Sequence, residues 1–472
     1  MKENWVQDHT TSHPLSSWLV RRAVYPVWLR HDHPRYFAYA RQFDRNQRLS
    51  SEELAKWQAE RLREQLLHAF RNVPFYRRRF ETAGITPLDV RSVNDLKALP
   101  VLTKNNIRLH NAELLARNVP EAERLCHQTG GSTGTPLRFW LDKERMDSRR
   151  ATIDRHNAWA GLRPGDWYAH LWGSRFDTEM STTPAITWRQ RLLSRNLTLN
   201  TSLISEVDLA QYVALLRRVR PRVMLAYAQS AVLLARHCER NHIRDLRFRS
   251  VIVTAEMLLP GQRALLENVF GAKVFNRYGC REVAVIASDC PHLSGMHINA
   301  DALIVEVEEA PGLPPGTGRV LITDLLNRSM PLIRYEIGDL ASTLDTSVCP
   351  CGRAFPRIAN IRGRITDFLV TGDNRRISGI SLAQLAGDLP QVRQMQFVQN
   401  DRRNIQLRVV AGDGYGMDTI GELRRRLDPY LRGTTELNIV TVERILPERS
   451  GKFRYVKTAA QLNEPATEYR SV

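Results

Sequence analysis

The stretch Thr129-Gly130-Gly131-Ser132-Thr133-Gly134-Thr135-Pro136 interleaves three glycines with four hydroxyl residues. That composition disfavours both helix and strand and gives a core nothing apolar to bury. Its exposed N–H groups and hydroxyls form instead a concave set of donors suited to a polyphosphate. A flexible connector has similar composition. Against it, Pro136 stiffens the exit and Leu137-Arg138-Phe139-Trp140 turns at once to strand-like chemistry. A kinase-type P-loop is excluded, because Gly-Lys-Ser/Thr and a helix after it are both missing.

Other stretches carry complementary chemistry. Tyr278-Gly279-Cys280-Arg281-Glu282 offers an aromatic face for a base, a glycine that lets backbone approach it, and a hard carboxylate oxygen for magnesium beside phosphates. Taken alone this pattern is usually just a turn. Asp339 follows Gly338 after an apolar run, where a carboxylate either accepts bonds from both hydroxyls of a ribose or simply closes a turn. Cys290, His297, Cys349 and Cys351 supply three thiolates and an imidazole, a closed tetrahedral zinc set that would be structural because it leaves no position for water. The usual finger spacing is absent, and reduced core thiols are the competing explanation. Ser450-Gly451-Lys452 places a lysine on a glycine loop, ordinarily one that faces solvent.

The elements that must position these residues alternate. A capping-box pattern, Ser50 and Glu53, opens an amphipathic helix with Leu54, Trp57, Leu62, Leu66 and Phe70 on one side, stopping before Val73-Pro74. Helices are expected over 207–220, 230–239 and 260–270, and buried strands over 223–227, 249–254 and 273–276, which together imply parallel β-α units. Ligands of such sheets sit beyond the carboxyl ends of the strands. There stand Ala255-Glu256 and the Tyr-Gly pair, with Trp172, Tyr227, Ala255 and 276–280 as candidate pocket walls. From Ala302 the pattern changes to strands at 303–307 and 319–324 joined by the Pro/Gly-rich turn 311–318, an antiparallel or barrel-like subdomain. A small α+β unit ends the chain, with strands at 395–398, 405–410 and 437–442 and a helix at 418–431.

With 472 residues, 43% of them hydrophobic, the chain can form a large core and more than one domain. No apolar run approaches the roughly 18 residues of a membrane span, and no signal-peptide pattern opens the chain, so a cytoplasmic location is expected. Net charge is +18, yet the basic residues are scattered, which favours a solvated arginine-rich surface over a nucleic-acid footprint. Residues 1–50 mix aromatic and basic side chains, among them Trp18, Arg21, Arg22, Tyr25 and Trp28. Such a segment either lies at a membrane interface or packs as an extension on the main domain, and the second is favoured. The sequence does not give the oligomeric state.

In this order the motifs resemble those of the adenylate-forming enzymes, the superfamily of acyl- and aryl-CoA ligases, luciferases and peptide-synthetase adenylation domains. Val73-Pro74-Phe75-Tyr76-Arg77 and the segment from Asp95 to Lys104 look like the N-terminal region of phenylacetate-CoA ligases, and the Cys/His grouping is similar to that of capsule-biosynthesis (CapK-like) ligases. The resemblance spans about residues 50 to 460. It implies an α/β fold in three parts: an extension 1–50, a large domain 51–363 with its zinc subdomain at about 285–355, and a small mobile domain 364–472 beyond a hinge at Thr366-Asp367. It further implies that Thr129 to Thr135 hold the phosphates of ATP, that Ala255, Glu256, Tyr278 and Gly279 line the nucleotide, and that Asp339 and Arg364 contact the ribose. Glu282 binds magnesium on this pattern, and Lys452 swings in to neutralise the substrate carboxylate and α-phosphate. Many members have lysine after the loop's proline, whereas this chain has Leu137-Arg138, which leaves open the cation that meets the phosphates.

The implied activity is activation of a carboxylic acid to an acyl adenylate and transfer to a thiol such as coenzyme A. An amine or sugar acceptor in polysaccharide assembly is the alternative within the same fold. A basic nucleic-acid-binding protein would leave the ordered motifs unexplained.

Overall fold

The computed structural model describes residues 14–129, 137–173, 195–201, 204–309, 315–364, 368–373, 376–386, 389–431, 433–448 and 452–458. The chain is helical from 14 to 32, and α1 (Tyr36–Asn46) and α2 (Ser51–Asn72) follow. The cap of α2 is reciprocal: Glu53 N–H donates to Ser50 Oγ at 3.2 Å and Ser50 N–H donates to Glu53 Oε2 at 2.8 Å, worth about 1 kcal/mol. Its apolar side buries Leu54, Leu62 and Leu66. Val73, ahead of Pro74, is forced into extended conformation and ends the helix, and Pro74 opens a new one.

β1 (Arg124–Gln128) and β2 (Arg138–Asp142) pair antiparallel, and the glycine-hydroxyl stretch connects them. Residues 130–136 of that stretch lie outside the described residues. Its base is pinned by two bonds of 3.0 Å, Thr129 N–H to Leu137 O and Leu137 N–H to Thr129 Oγ1. Asp142 then accepts Arg145 N–H and caps α3 (Lys143–Trp159). This helix is the strut of the large domain. Arg145 meets Asp324 at 2.9 Å and Arg155 meets Asp301 at 2.7 Å, all four side chains nearly inaccessible to water. Deleting one partner of such a pair costs about 3–5 kcal/mol, because the other charge stays buried and bare. The N-terminal helices pack on the same strut: the hydroxyls of Tyr25 and Tyr36 both donate to Asp154, at 2.7 and 2.9 Å.

After α3 come β3 (Tyr168–Trp172), β4 (Asn196–Asn200), α4 (Glu206–Val219), β5 (Val223–Tyr227), α5 (Ala228–Arg240), β6 (Ser250–Thr254), α6 (Pro260–Phe270) and β7 (Lys273–Cys280). β4, β3, β5, β6 and β7 lie side by side and parallel. Burial on both faces explains unbroken apolar runs such as Val251-Ile252-Val253. β8 (Ala284–Asp289) and β9 (Met296–Ile298) then return antiparallel. β7 extends past Asn276, where the sequence suggested its end, because Tyr278, Gly279 and Cys280 pair with β8. The Tyr-Gly pair therefore sits within a strand and not at its exit. Gly279 is required there, since a Cβ would lie 2.4 Å from Ala284 O.

β10 (Leu303–Glu309), β11 (Thr317–Asp324) and β12 (Tyr335–Ser342) follow, then β13 (Leu344–Asp345), β14 (Arg357–Ile358) and β15 (Ile361–Arg364). β10, β11, β12 and β15 make an antiparallel four-stranded sheet, while β13 and β14 extend the main sheet beside β9 to nine strands. Asp339 was expected at a strand end; it lies inside β12, opposite Arg364 of β15, next to a bulge at Leu340 and Ala341. The bulge re-aims the strand at that point.

The last unit holds the hairpin β16 (Phe368–Val370) and β17 (Arg376–Ser378), then β18 (Val392–Gln399), β19 (Asn404–Ala411), α7 (Met417–Leu431), β20 (Glu436–Thr441) and β21 (Val456–Thr458). Its sheet has the order β20-β19-β18-β21 and its own core around Phe397, Leu407, Leu423 and Leu427. Thr366, Asp367, Ser450 and Gly451 fall outside the described residues. Among those described, no helix is long and apolar enough to cross a membrane.

Candidate active site

A cavity of about 960 Å³ opens at the carboxyl ends of β5, β6 and β7, the place where parallel sheets present backbone groups that no strand uses. Tyr227 ends β5, and its ring lies 4.3 Å, centroid to centroid, from that of Trp172. All the candidate walls named from sequence, Trp172, Tyr227, Ala255 and 276–280, line this cavity. Thr129 lines it too, so the base of the glycine-hydroxyl loop stands at its edge.

Ala255 leaves β6 with φ of 69°, an uncommon backbone state for a residue with a side chain. Glu256, next in line, accepts N–H bonds from Gln229 at 2.8 Å and from Phe453. Burial pushes its carboxyl up to about 7 even though both bonds favour the ionised form. Tyr278 donates its hydroxyl to Asp339 Oδ2 at 2.9 Å, and Asp339 Oδ1 lies 3.6 Å from Arg364 Nε. Burial, then the Asp339 charge, holds the Tyr278 phenol well above its usual range, so it stays a donor. Glu282 is 4% exposed. Its Oε1 accepts the Tyr335 hydroxyl at 2.8 Å, and Arg149 grips the carbonyls of Arg281 and Glu282 at 2.9 Å each. The carboxylate is thus presented at the wall in one orientation.

Lys452 arrives from the small unit and lines the same cavity. Burial first, then the Arg364 guanidinium, lowers its pKa, with Asp339 and Glu256 opposing. The small unit is held in this position by Phe453 N–H on Glu256, by Gln262 Nε2 on the Tyr455 hydroxyl at 2.9 Å, and by Arg236 on the carbonyls of Val392 and Arg393. Cys280, also at the wall, is no nucleophile. Burial and the Glu282 charge raise its thiol pKa far from the thiolate range.

Away from the cavity, the ligand atoms of Cys290, His297, Cys349 and Cys351 all lie within 4.8 Å of one another. Cys290 Sγ and Cys349 Sγ are 3.8 Å apart, and Cys351 Sγ is 3.3 Å from His297 Nε2. Zinc–sulfur bonds of about 2.3 Å at tetrahedral angles put sulfurs about 3.8 Å apart. His297 donates Nδ1–H to Phe355 O at 3.0 Å, which leaves Nε2 with the lone pair a metal needs.

The part of the chain that carries Lys452, residues 369–459, matches the family model described as the CapK C-terminal domain. The chain is 28% identical over 332 residues to phenylacetate-coenzyme A ligase of Thermus thermophilus, covering 68% of this chain and 73% of that one. It is 23% identical over 368 residues to Protein CapK of Staphylococcus aureus, covering 77% and 80%. Among solved structures, 2-hydroxyisobutyryl-CoA ligase in the postadenylation state shares the fold over 88% of this chain and 91% of its own, at 22% identity and a TM-score of 0.72. In sequence and in fold the chain is similar to adenylate-forming ligases. Against the same solved ligase in its thioesterification state the TM-score is 0.58.

Several groups in the cavity had been given no role from the sequence. Lys104 donates to Ile337 O at 2.7 Å, beside Gly338. Arg149 and Arg277 line the wall formed by α3 and β7. In the sequence Lys104 stood only at the end of the segment that resembles phenylacetate-CoA ligases, and Arg277 only as one position of the expected wall 276–280.

Proposed function

We propose that this ligase activates a carboxylic acid with ATP, releases pyrophosphate, and passes the acyl group to a thiol, of which coenzyme A is the first candidate. The observation that carries this reading is the convergence of Glu256, Asp339 and Arg364 of the large domain and Lys452 of the small unit, from separate elements, on one cavity above parallel strand ends. Asp339, oriented by Tyr278, accepts the ribose hydroxyls with Arg364 beside it. The glycines and hydroxyls of 129–135 suit the phosphates by their composition, and Thr129 stands at the cavity edge. Glu282 suits a magnesium ion, since it is a hard oxygen ligand fixed by Tyr335 and Arg149; when bound, that ion supplies positive charge to the departing pyrophosphate.

The acid's carboxylate and the α-phosphate are both anions, and bringing them together is the electrostatic problem of the first step. Lys452 offsets that repulsion from a half-buried position at the cavity wall. The carboxylate oxygen attacks phosphorus in line and pyrophosphate leaves opposite. A thiolate then adds to the carbonyl of the mixed anhydride and AMP departs. The Cys/His cluster is read as structural zinc, with four protein ligands and no open position.

An amine or sugar acceptor in polysaccharide assembly is the second reading, favoured by the CapK match over the unit that would meet the acceptor. Pyrophosphate release across a panel of carboxylic acids tests the first step, and thioester formation on adding coenzyme A tests the second. Acid-dependent pyrophosphate release without thioester would move the acceptor to the second reading; no acid-dependent release would sink adenylation itself.

A cytoplasmic location with contact at a membrane surface fits the N-terminal helices, where Leu15, Trp18 and Leu19 are more than half exposed beside Arg21 and Arg22. Co-sedimentation with anionic lipid vesicles should fall when Trp18 and Leu19 are both changed to serine. Equal sedimentation of the variant would remove the membrane role.

A further inference from the structure

Arg277 is the group at the cavity wall to which the adenylation chemistry gives no task. It stands on β7 immediately before Tyr278 and is 8% exposed. Its Nη2 donates to Asn157 Oδ1 at 2.8 Å, while its Nε is buried and has no hydrogen-bond partner. The acid that acts on it electrostatically, Asp154, is already bound by the hydroxyls of Tyr25 and Tyr36 and by Arg150. Burial pushes the guanidinium down to about 10. A buried cation whose acceptor among the described residues is a neutral amide is an expensive arrangement. It is made good when a ligand brings the missing negative charge.

The surroundings point the same way. Arg149, Ile153 and Asn157 occupy one face of α3 at successive turns; the first two line the cavity and the third holds Arg277. Arg149, also lowered to about 10 by burial, spends its bonds on two backbone carbonyls. This wall therefore offers two guanidinium groups bonded to neutral acceptors. The contacts assigned above to the ribose come from β12 and β15, and those to the phosphates from loop 129–135, Glu282 and Lys452; none of them uses the Arg277 guanidinium. An apolar acid would leave the charge on Arg277 unanswered.

Resting on the adenylation reading, we propose that Arg277 is a specificity-determining residue and that the acid activated here carries a second anionic group, a carboxylate or another oxyanion, remote from the carboxylate that is adenylated. A planar guanidinium recognises such a group with paired N–H donors.

The test is ATP–pyrophosphate exchange with matched acids: straight-chain dicarboxylates against monocarboxylates of equal length, and aromatic acids with and without a second carboxylate. The expected result is a preference of at least about tenfold in kcat/KM for the anionic member of a pair, the scale of one charge-assisted hydrogen bond. Arg277→Met should collapse that ratio toward one, and Arg277→Lys should keep part of it. Monoacids favoured by the unaltered enzyme would overturn the proposal and leave adenylation standing. Parallel losses for both acid classes in Arg277→Met would assign the residue to the fold, and a raised KM for ATP with the preference intact would assign it to the nucleotide; either overturns the proposal. Exchange with neither set, in protein that binds ATP, also overturns it. Failure to bind ATP would instead overturn the adenylation reading beneath it.

Discussion

Glu256 shows how a single side chain can couple acidity to docking. Two N–H donors, one from α5 and one from the small unit, stabilise its ionised form, yet burial wins and the carboxyl sits at about 7. In the unfolded chain the same group titrates near 4.5. A raised folded value means that the folded state binds the proton more tightly, so this contribution is fully present below about pH 4.5 and is lost as pH rises through about 7. An interval of that width is worth at most about 3 kcal/mol. Glu256→Gln has no proton to lose, so its stability relative to the unaltered protein should rise steadily between about pH 5 and 8. Denaturant unfolding of both proteins across that window checks it; parallel curves would mean that Glu256 does not titrate in the folded state. From the sequence, Glu256 was visible as an acid after a strand that the resemblance places beside the nucleotide, but its docking role was not. Its donors come from residues 229 and 453, separations that no local pattern encodes.

At the level of elements, the Cys/His cluster joins a turn, a short strand and a second turn. Cys290 follows β8, His297 lies in β9, and Cys349 and Cys351 flank Pro350 between β13 and β14. β9, β13 and β14 are two- or three-residue strands at the edge of the main sheet, too short to hold themselves together. Removing one ligand should therefore loosen this edge and leave the parallel half intact. Cys349→Ser is expected to take zinc from about one per chain to well below it and to lower the melting temperature by several degrees, checked by elemental analysis and thermal unfolding. An unaltered protein that is stable and free of zinc would end the idea. The parallel half was readable because buried strands and amphipathic helices announce themselves by period; α2, α4, α6 and β5 lie within about two residues of their expected bounds. The hairpin that lengthens β7 and the register that sets Asp339 against Arg364 were not readable. Both are pairings between strands, decided by partners distant in sequence.

The whole molecule poses the question of how one cavity serves two half-reactions. The small unit is docked with Lys452 at the cavity, held by Phe453 on Glu256 and by α5 and α6. On the proposed reading that position sets the lysine where two anions must meet, which is the need of the first half-reaction alone. Movement about the segment near residue 366 would withdraw Lys452 for the second, as domain rotation does in other two-step enzymes. The ammonium has a duty when a carboxylate meets a phosphate and none when a thiolate attacks a preformed anhydride. Lys452→Ala should consequently lower adenylation by on the order of a hundredfold or more, the scale of one preorganised charge contact. Thioester formation from supplied acyl adenylate should be nearly normal. The two half-reactions are to be followed separately with the same acid. Equal losses in both would mean that Lys452 supports the docked fold or binds the acceptor, and the division of labour between two positions of the small unit would have to be given up.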